Sequence, residues 1–140
     1  MATLSFELVS PEKLVFSGTA TEVIIPGAEG EFGVLAGHGP FVGMLKPGIL
    51  TIVNPGSTER FFVRGGFAEV NASGLTVLAE QSVPVEQLDA AEIQQQIQNA
   101  REDLADAKTD DARQRAETLL GDLQQVADAL SRGFSGKSGH

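Results

Sequence analysis

A sharp change of composition near residues 84–88 limits the fold of this chain more than any other feature. All six Pro residues and seven of the eight Phe residues precede that point, whereas the sequence beyond it is rich in Gln, Ala, Asp, Glu and Leu and contains no Pro. Because Pro and Gly interrupt regular elements, the first part should be rich in turns and the second free to form helices. The sequence predicts a β domain over residues 1–85, a helical hairpin over 86–133 and a flexible tail over 134–140, with a connector at 82–85.

The first region has the pattern of short β-strands separated by tight turns. Apolar and polar residues nearly alternate at 4–9 and 21–25, as expected when one face of a strand is buried. Further segments of this kind lie at 49–53, 60–64, 67–70 and 75–79, and the turn sequences between segments include Pro26-Gly27, Pro47-Gly48, Pro55-Gly56 and residues 71–74. Strands at this spacing, without helical segments between them, indicate an antiparallel sandwich or barrel of about eight to ten strands.

The second region has the period of two amphipathic helices. The apolar residues of the first recur every three or four positions, at Ile93, Ile97, Ala100, Leu104 and Ala107. Those of the second are Ala112, Ala116, Leu119, Leu120, Leu123, Val126, Ala127 and Leu130. Asp89 and Glu92 have the spacing of a capping box, and Thr109 or Asp110 is the expected cap of the second helix. The short link between the helices predicts an antiparallel hairpin.

This hairpin should be only weakly stable by itself. Its apolar faces are rich in Ala, and Gly121 lies inside the second helix at a cost of about 1 kcal/mol relative to Ala. We therefore expect the helices to rest on the β domain or on another protein, and to be able to exchange between the two.

Charge and composition disfavour several classes of function. The formal net charge is −9, which argues against nucleic acid as a ligand because phosphate binding requires a basic surface. There is no Cys in the sequence, so disulfides, Cys-based zinc sites and thiol nucleophiles are excluded. Its apolar runs are far shorter than the roughly 20 residues of a membrane span, and residues 1–10 lack the features of a signal peptide.

No catalytic, cofactor-binding or metal-binding site is predicted. The glycines between Gly27 and Gly33 lack the Lys and the following helix of a phosphate-binding loop, and tight turns explain them better. His38, Glu29 and Glu31 would need a further metal ligand, and none is suitably spaced. Because His38 also lacks an identifiable partner for activating a nucleophile, we expect it to hold loop backbone or to meet a partner protein.

Four segments carry a resemblance to a known family: residues 29–38 (EGEFGVLAGH), 44–50 (MLKPGIL), 62–70 (FVRGGFAEV) and 77–80 (VLAE). In sequence, order and spacing they resemble the ε subunit of bacterial F-type ATP synthases and its mitochondrial δ counterpart. The similarity extends over nearly the whole sequence, including Leu88-Asp89 at the start of the hairpin. It implies an α+β fold, with an N-terminal antiparallel β-sandwich of about ten strands followed by a C-terminal antiparallel α-helical hairpin.

The resemblance implies a mechanical function. Such a subunit is a non-catalytic part of the central stalk (the rotor) that couples rotation of the c-ring to the γ subunit and so to the catalytic F1 head. It is a peripheral part of F1 at the cytoplasmic face of the bacterial inner membrane, and it meets the membrane only indirectly through Fo. The loop implied to face the c-ring consists of Glu29, Gly30 and Glu31. The region implied to face γ consists of His38, Gly39, Pro40 and Phe41.

The resemblance also raises regulation by the hairpin. In many bacterial members the hairpin impedes ATP hydrolysis through basic residues that meet the catalytic head, so α and β subunits are further expected partners, and the matching positions here are Arg113 and Arg115. Some members bind ATP through a Leu/Ile-Asp-x-x-Arg-Ala motif, but residues 88–93 carry Glu92 in place of the Arg. Replacing a phosphate-attracting charge by a negative one predicts weak or absent ATP binding. The second helix is also less basic than an inhibitory arm requires, which predicts at most modest inhibition.

Three other classes of function remain as alternatives at this level. They are a nucleotide-sensing regulatory module, a β-sandwich adaptor outside an ATPase, and an enzyme built on a sandwich with a helical appendage. Binding of ATP would indicate the first, failure to bind γ the second, and hydrolase activity of the isolated protein the third.

Overall fold

The computed structural model describes residues 2–132. The chain forms two compact units, with the boundary between Val85 and Glu86. The first unit contains eight β-strands and the second two α-helices, with a short 3-10 helix at Val85–Gln87. The strands are β1 (Leu4–Ser10), β2 (Lys13–Ala20), β3 (Glu22–Gly27), β4 (Gly30–Leu35), β5 (Phe41–Met44), β6 (Gly48–Asn54), β7 (Ser57–Asn71) and β8 (Gly74–Pro84). The helices are α1 (Ala90–Asp106) and α2 (Asp110–Ser131).

Two long strands, β7 and β8, pair with each other and run through both layers of the sandwich. On its other edge, β7 pairs with β6 over residues 57–63 and with β5 over residues 67–70. Between these parts, Gly65 and Gly66 have φ values of 75° and 114°, which L side chains rarely adopt. A Cβ on Gly66 would also collide with the backbone of Leu78. The glycine pair therefore marks the place where the sheet bends over itself.

The bend produces two layers of five strand segments each. The first layer has the order β4-β3-β6-β7-β8 and uses the beginning of β7 and the end of β8. The second layer has the order β2-β1-β8-β7-β5 and uses the beginning of β8 and the end of β7. The predicted α+β class, a sandwich followed by a helical hairpin, is therefore confirmed.

Three details of the predicted sandwich need correction. The described residues form eight continuous strands, which is within the eight to ten predicted from the pattern but fewer than the ten or so that the resemblance implies; the segments predicted at 60–64 and 67–70 are both parts of β7. Strand β8 extends through Pro84, over residues predicted to form a connector. The pair β1–β8 is parallel, an arrangement open to strands that are distant in sequence because no tight turn joins them.

The core of the sandwich is made by the inward-facing residues of both layers. In β1, Leu4, Phe6 and Leu8 are buried while the residues between them are exposed, which is the alternation expected of a half-buried strand. The Phe6 ring lies 5.7 Å from that of Phe16, measured between ring centroids. The same cluster includes Val23, Ile25, Val34, Leu50, Ile52, Val63, Ala68, Leu75 and Val77.

The two helices form the predicted hairpin, and each begins at a side-chain cap. The Asp89 carboxylate accepts a hydrogen bond from the Ala91 N–H at 2.9 Å, and the Thr109 hydroxyl oxygen accepts one from the Ala112 N–H at 3.0 Å. Thr109 is thus the cap of α2. The Glu92 N–H donates to the Asp89 backbone carbonyl.

The buried residues of the hairpin belong to the predicted apolar faces. They are Ile93, Ile97 and Ala100 in α1 and Ala116, Leu123 and Val126 in α2. Neither helix, over the residues described, combines the length and the apolar character needed to cross a membrane. The tail predicted at 134–140 lies outside the described residues.

Candidate functional site

The segment predicted to face a c-ring lies at the tip of the hairpin formed by β3 and β4. Gly27 pairs with Gly30, and Ala28 and Glu29 form the turn between them. Gly30 has a φ of 136°, and a Cβ on Gly27 would come within 2.7 Å of the Gly30 carbonyl oxygen. Both glycines are therefore needed for so tight a turn. The turn leaves Glu29, Gly30 and Glu31 exposed.

A groove of about 780 Å³ brings this tip together with part of the region predicted to face γ. Its lining includes Glu29, Gly30 and Glu31 on one side and His38 and Phe41 on the other. Gly39 and Pro40 are exposed in the loop before β5 and do not line the groove. The two predicted contact regions are thus neighbours on one surface.

Aromatic side chains form part of the lining of the groove. The Phe32 and Phe41 rings meet edge to face, with centroids 5.0 Å apart and an interplanar angle of 68°. The His38 ring lies 6.3 Å from Phe41, and its Nδ1 is 2.8 Å from the Gly39 carbonyl oxygen. Because a carbonyl only accepts, Nδ1 is the donor in this bond. His38 thus holds loop backbone, as one of the two roles expected for it.

Backbone hydrogen bonds fix the geometry of the groove. The Ala28 N–H donates to the Met44 carbonyl at 2.8 Å, and the Lys46 N–H donates to the Pro26 carbonyl at 3.0 Å. The Leu45 N–H donates to the Gly66 carbonyl at 3.0 Å. The hairpin tip, β5 and the bend of the sheet are therefore held together without depending on the exposed side chains.

The groove offers exposed carboxylates beside aromatic rings, an arrangement suited to accepting donors from another polypeptide. Among residues 2–132, no group of three or more His, Asp or Glu side chains is placed to hold a metal ion.

The outer face of the second layer carries an apolar row that the sequence reasoning missed. The strand registers pair Leu14 with Val9, Val9 with Leu78, Leu78 with Phe67, and Phe67 with Met44. Paired residues point to the same face of a sheet, and their sequence neighbours Leu8, Val77 and Ala68 point into the core. We refer to Leu14, Val9, Leu78, Phe67 and Met44 as the apolar row.

Much of the apolar row is accessible to solvent. The exposed fractions of Met44, Leu14 and Leu78 are 63%, 55% and 41%, and Phe67 and Val9 are half-buried. A contiguous set of exposed apolar side chains is typical of an interaction surface. Its signal in the sequence is a break in alternation: outward positions that should be polar are occupied by Phe67 and Leu78. The five residues can be recognised as neighbours, however, only when the pairing and register of all five strands are known.

The residues predicted to regulate hydrolysis lie in the helical unit. Arg113 and Arg115 are near the start of α2, and Arg113 Nη1 lies 3.0 Å from Asp110 Oδ1. Because the Asp110 side chain is fully exposed, solvent screens this pair and leaves Arg113 able to exchange partners. In the segment predicted to bind ATP weakly or not at all, Asp89 caps α1 and Glu92 lies in the first turn. The predictions for ATP and for inhibition stay predictions.

Comparison with known proteins covers nearly all of the described residues. Residues 3–85 match the family model of the β-sandwich domain of the ATP synthase delta/epsilon chain, and residues 89–135 match that of the C-terminal domain of the ATP synthase epsilon chain. The ATP synthase epsilon chain of Parvibaculum lavamentivorans is 52% identical over 124 residues, which cover 88% of this chain and 94% of the relative.

Two solved structures share the fold. A chain of the Euglena gracilis mitochondrial ATP synthase, in a structure of OSCP, F1 and the c-ring, superposes with a TM-score of 0.74 at 28% identity, covering 93% of this chain and 82% of that one. A chain of the Tetrahymena thermophila mitochondrial ATP synthase, in a structure of the central stalk and c-ring, gives a TM-score of 0.65 at 14% identity over 90% and 97% of the two chains. The second likeness shows the fold alone.

Proposed function

This chain belongs to the ATP synthase epsilon-chain family, and we propose that it is a non-catalytic rotor subunit that joins the γ subunit to the c-ring of a proton-translocating F1Fo ATP synthase. In this role it transmits torque between membrane-embedded ring and catalytic head and carries no active site of its own. It is located, as a peripheral part of F1, at the cytoplasmic face of a bacterial inner membrane.

The apolar row is the observation that carries the proposal. A subunit that transmits torque must hold its partner through a surface that does not deform, and the row lies on strands whose opposite face is the sandwich core. Burying exposed apolar side chains contributes about 25 cal/mol per Å² of buried area. The row begins at Met44 in β5, the strand that starts at Phe41, so it continues the region expected to face γ. We assign the γ subunit to this face.

The side of the groove formed by the tip of β3 and β4 is assigned to the c-ring, whereas His38 and Phe41 remain with the region expected to face γ. Its exposed Glu29 and Glu31 carboxylates can accept hydrogen bonds from amide or cationic donors of the ring. Because the backbone bonds of Ala28 and Lys46 fix the tip relative to β5, a load applied at the groove reaches the apolar row through the sheet.

The helical unit is assigned a weaker, regulatory role. Arg113 and Arg115 lie at the start of α2 and are suited to meet acidic groups of the catalytic head, which is formed by α and β subunits. The unit should impede ATP hydrolysis only modestly, because its second helix carries few basic residues between acidic ones.

The test is binding of the full-length protein to purified γ and to a γ–c-ring complex. Leu78→Gln, in the centre of the apolar row, should weaken binding to γ at least about tenfold, because central apolar contacts dominate interface energy. Leu35→Gln is the matched control, since Leu35 is 56% exposed but lies in β4 of the other layer. Failure of the unaltered protein to bind γ, or equal binding by both variants and the parent, would overturn the assignment.

A second pair of substitutions separates the two surfaces. Glu29→Gln combined with Glu31→Gln should weaken attachment to the c-ring in the γ–c-ring complex while leaving the affinity for isolated γ unchanged. Loss of affinity for isolated γ in this double variant would contradict the assignment of the groove.

A further inference from the structure

The direction of the apolar row limits what can cover it. The row crosses five strands, one residue from each, and so runs perpendicular to them. With strands about 4.8 Å apart, it is about 19 Å long. An α-helix presents one residue of a stripe about every 5 Å along its axis, because the stripe recurs every three or four residues at about 1.5 Å each. A helix of about 13 residues laid across the strands would therefore place one apolar side chain near each strand.

Acidic residues border the row on both sides. Glu7, Thr76 and Glu69 each lie two residues from a member of the row, and the registers pair Glu7 with Thr76 and Thr76 with Glu69. Glu7 also pairs with Ser17, which lies three residues from Leu14 because the register of β1 and β2 shifts between Leu8 and Val9. Glu7, Thr76 and Glu69 point to the same outer face, about 7 Å from the row, and both Glu7 and Glu69 are exposed. On the other side, Glu80 is exposed in β8, two residues beyond Leu78. A partner seated on the row meets carboxylates along its edges.

Strand addition at the β5 edge, next to Met44, is a competing way to bind at this layer, and the structure disfavours it there. Strand β5 is only four residues long, and the backbone at its end is already hydrogen-bonded. The Met44 carbonyl accepts from Ala28, and the Leu45 N–H donates to Gly66. An incoming strand would find few free groups there, because strand addition depends on main-chain hydrogen bonds.

We propose that the apolar row binds an amphipathic α-helix of the stalk partner that lies across the strands and carries Lys or Arg along its borders, opposite Glu7 and Glu69. This inference rests on the proposed function, because it names the chemistry of the partner at the γ-facing surface. The apolar stripe supplies contact area, whereas the border charges steer association and set the orientation of the helix.

The test measures association and dissociation rates of the full-length protein with purified γ as a function of salt. Glu7→Gln combined with Glu69→Gln should slow association about tenfold at low salt and flatten its salt dependence, with little change in dissociation. The control, Glu59→Gln combined with Glu102→Gln, removes the same charge from exposed positions off this face and should behave like the parent. Hydrogen exchange in the complex should protect one contiguous helical segment of γ that contains Lys or Arg.

The outcomes distinguish this inference from the function on which it rests. If the double glutamine variant associates like the parent, or if the protected segment of γ is a strand, the helix proposal is wrong even where Leu78→Gln still weakens binding. If Leu78→Gln and the glutamate variants both leave binding unchanged, the γ-facing assignment itself fails. Carbodiimide cross-links from Glu7 or Glu69 to Lys residues of that helix would support the proposed orientation.

Discussion

The sandwich and the helical hairpin differ in how they obtain their stability. The sandwich buries large side chains such as Phe6, Leu8 and Leu50 completely, between two layers. The hairpin buries a narrower set in which Ala100 and Ala116 stand beside Ile93 and Leu123, and its second helix contains Gly121. The comparison indicates different roles for the two units. The sandwich is a rigid domain that carries mechanical contacts, whereas the hairpin is only marginally stable and its conformation can respond to its surroundings.

The strongest test of this difference is removal of a central aromatic from the sandwich. Phe6→Ala should lower the free energy of unfolding by about 3–5 kcal/mol, because it removes a fully buried ring and leaves a cavity beside Phe16. Chemical denaturation monitored by far-ultraviolet circular dichroism, at a wavelength where the β-sheet signal dominates, would measure the loss. Glu7→Ala, at an exposed neighbouring position, is the control and should change stability by less than about 0.5 kcal/mol.

The bend between the layers should be nearly as sensitive. Gly66→Ala should destabilise the sandwich by about 2–3 kcal/mol, since its φ is unfavourable for Ala and the added Cβ would meet the backbone of Leu78. Gly39→Ala is the matched control, because a Cβ there meets nothing within 4 Å. Equal unfolding midpoints for the two variants would show that the bend tolerates a side chain.

A core substitution in the hairpin should act locally. Leu123→Ala should cost the helical unit about 2 kcal/mol, because Leu123 is fully buried in α2. Hydrogen exchange should then rise in α1 and α2 while the strands keep their protection. A uniform rise across both units would contradict the view that the hairpin unfolds separately.

One substitution should stabilise the hairpin instead. Gly121→Ala should add about 1 kcal/mol of helix stability, because a Cβ at this position has no atom within 4 Å outside the neighbouring helix backbone and Ala restricts the unfolded state. Slower hydrogen exchange in α2 is the expected readout. In the assembled enzyme, a changed rate of ATP hydrolysis in this variant would connect hairpin stability with regulation.

The smallest expected effect concerns ATP. Glu92 lies in the first turn of α1 and should repel the phosphates of ATP. A ligand at a concentration equal to its dissociation constant stabilises a protein by about 0.4 kcal/mol, so ATP at about 1 mM should stabilise this protein by less than that. Thermal unfolding with and without ATP measures the shift. A clear rise in melting temperature would reverse the prediction of weak or absent binding.

Much of the local structure was predictable from the sequence because local chemistry decides it. The period of Ile93, Ile97 and Ala100 predicted the buried face of α1, and Thr109 was one of two residues predicted to cap α2. The boundaries of β7 were not predictable in the same way. Gly65-Gly66 has the composition of a turn, yet the strand continues through it because both halves pair with β8.

The class of each region, the capped ends of the helices and the family could be predicted without coordinates, because they depend on residues close together in the sequence. Which exposed residues act together became apparent only from the folded arrangement of the strands. The apolar row joins residues from five strands, and the groove joins Glu29 and Glu31 to His38 and Phe41. Such surfaces depend on strand order and register, which long-range pairing sets and no local pattern specifies.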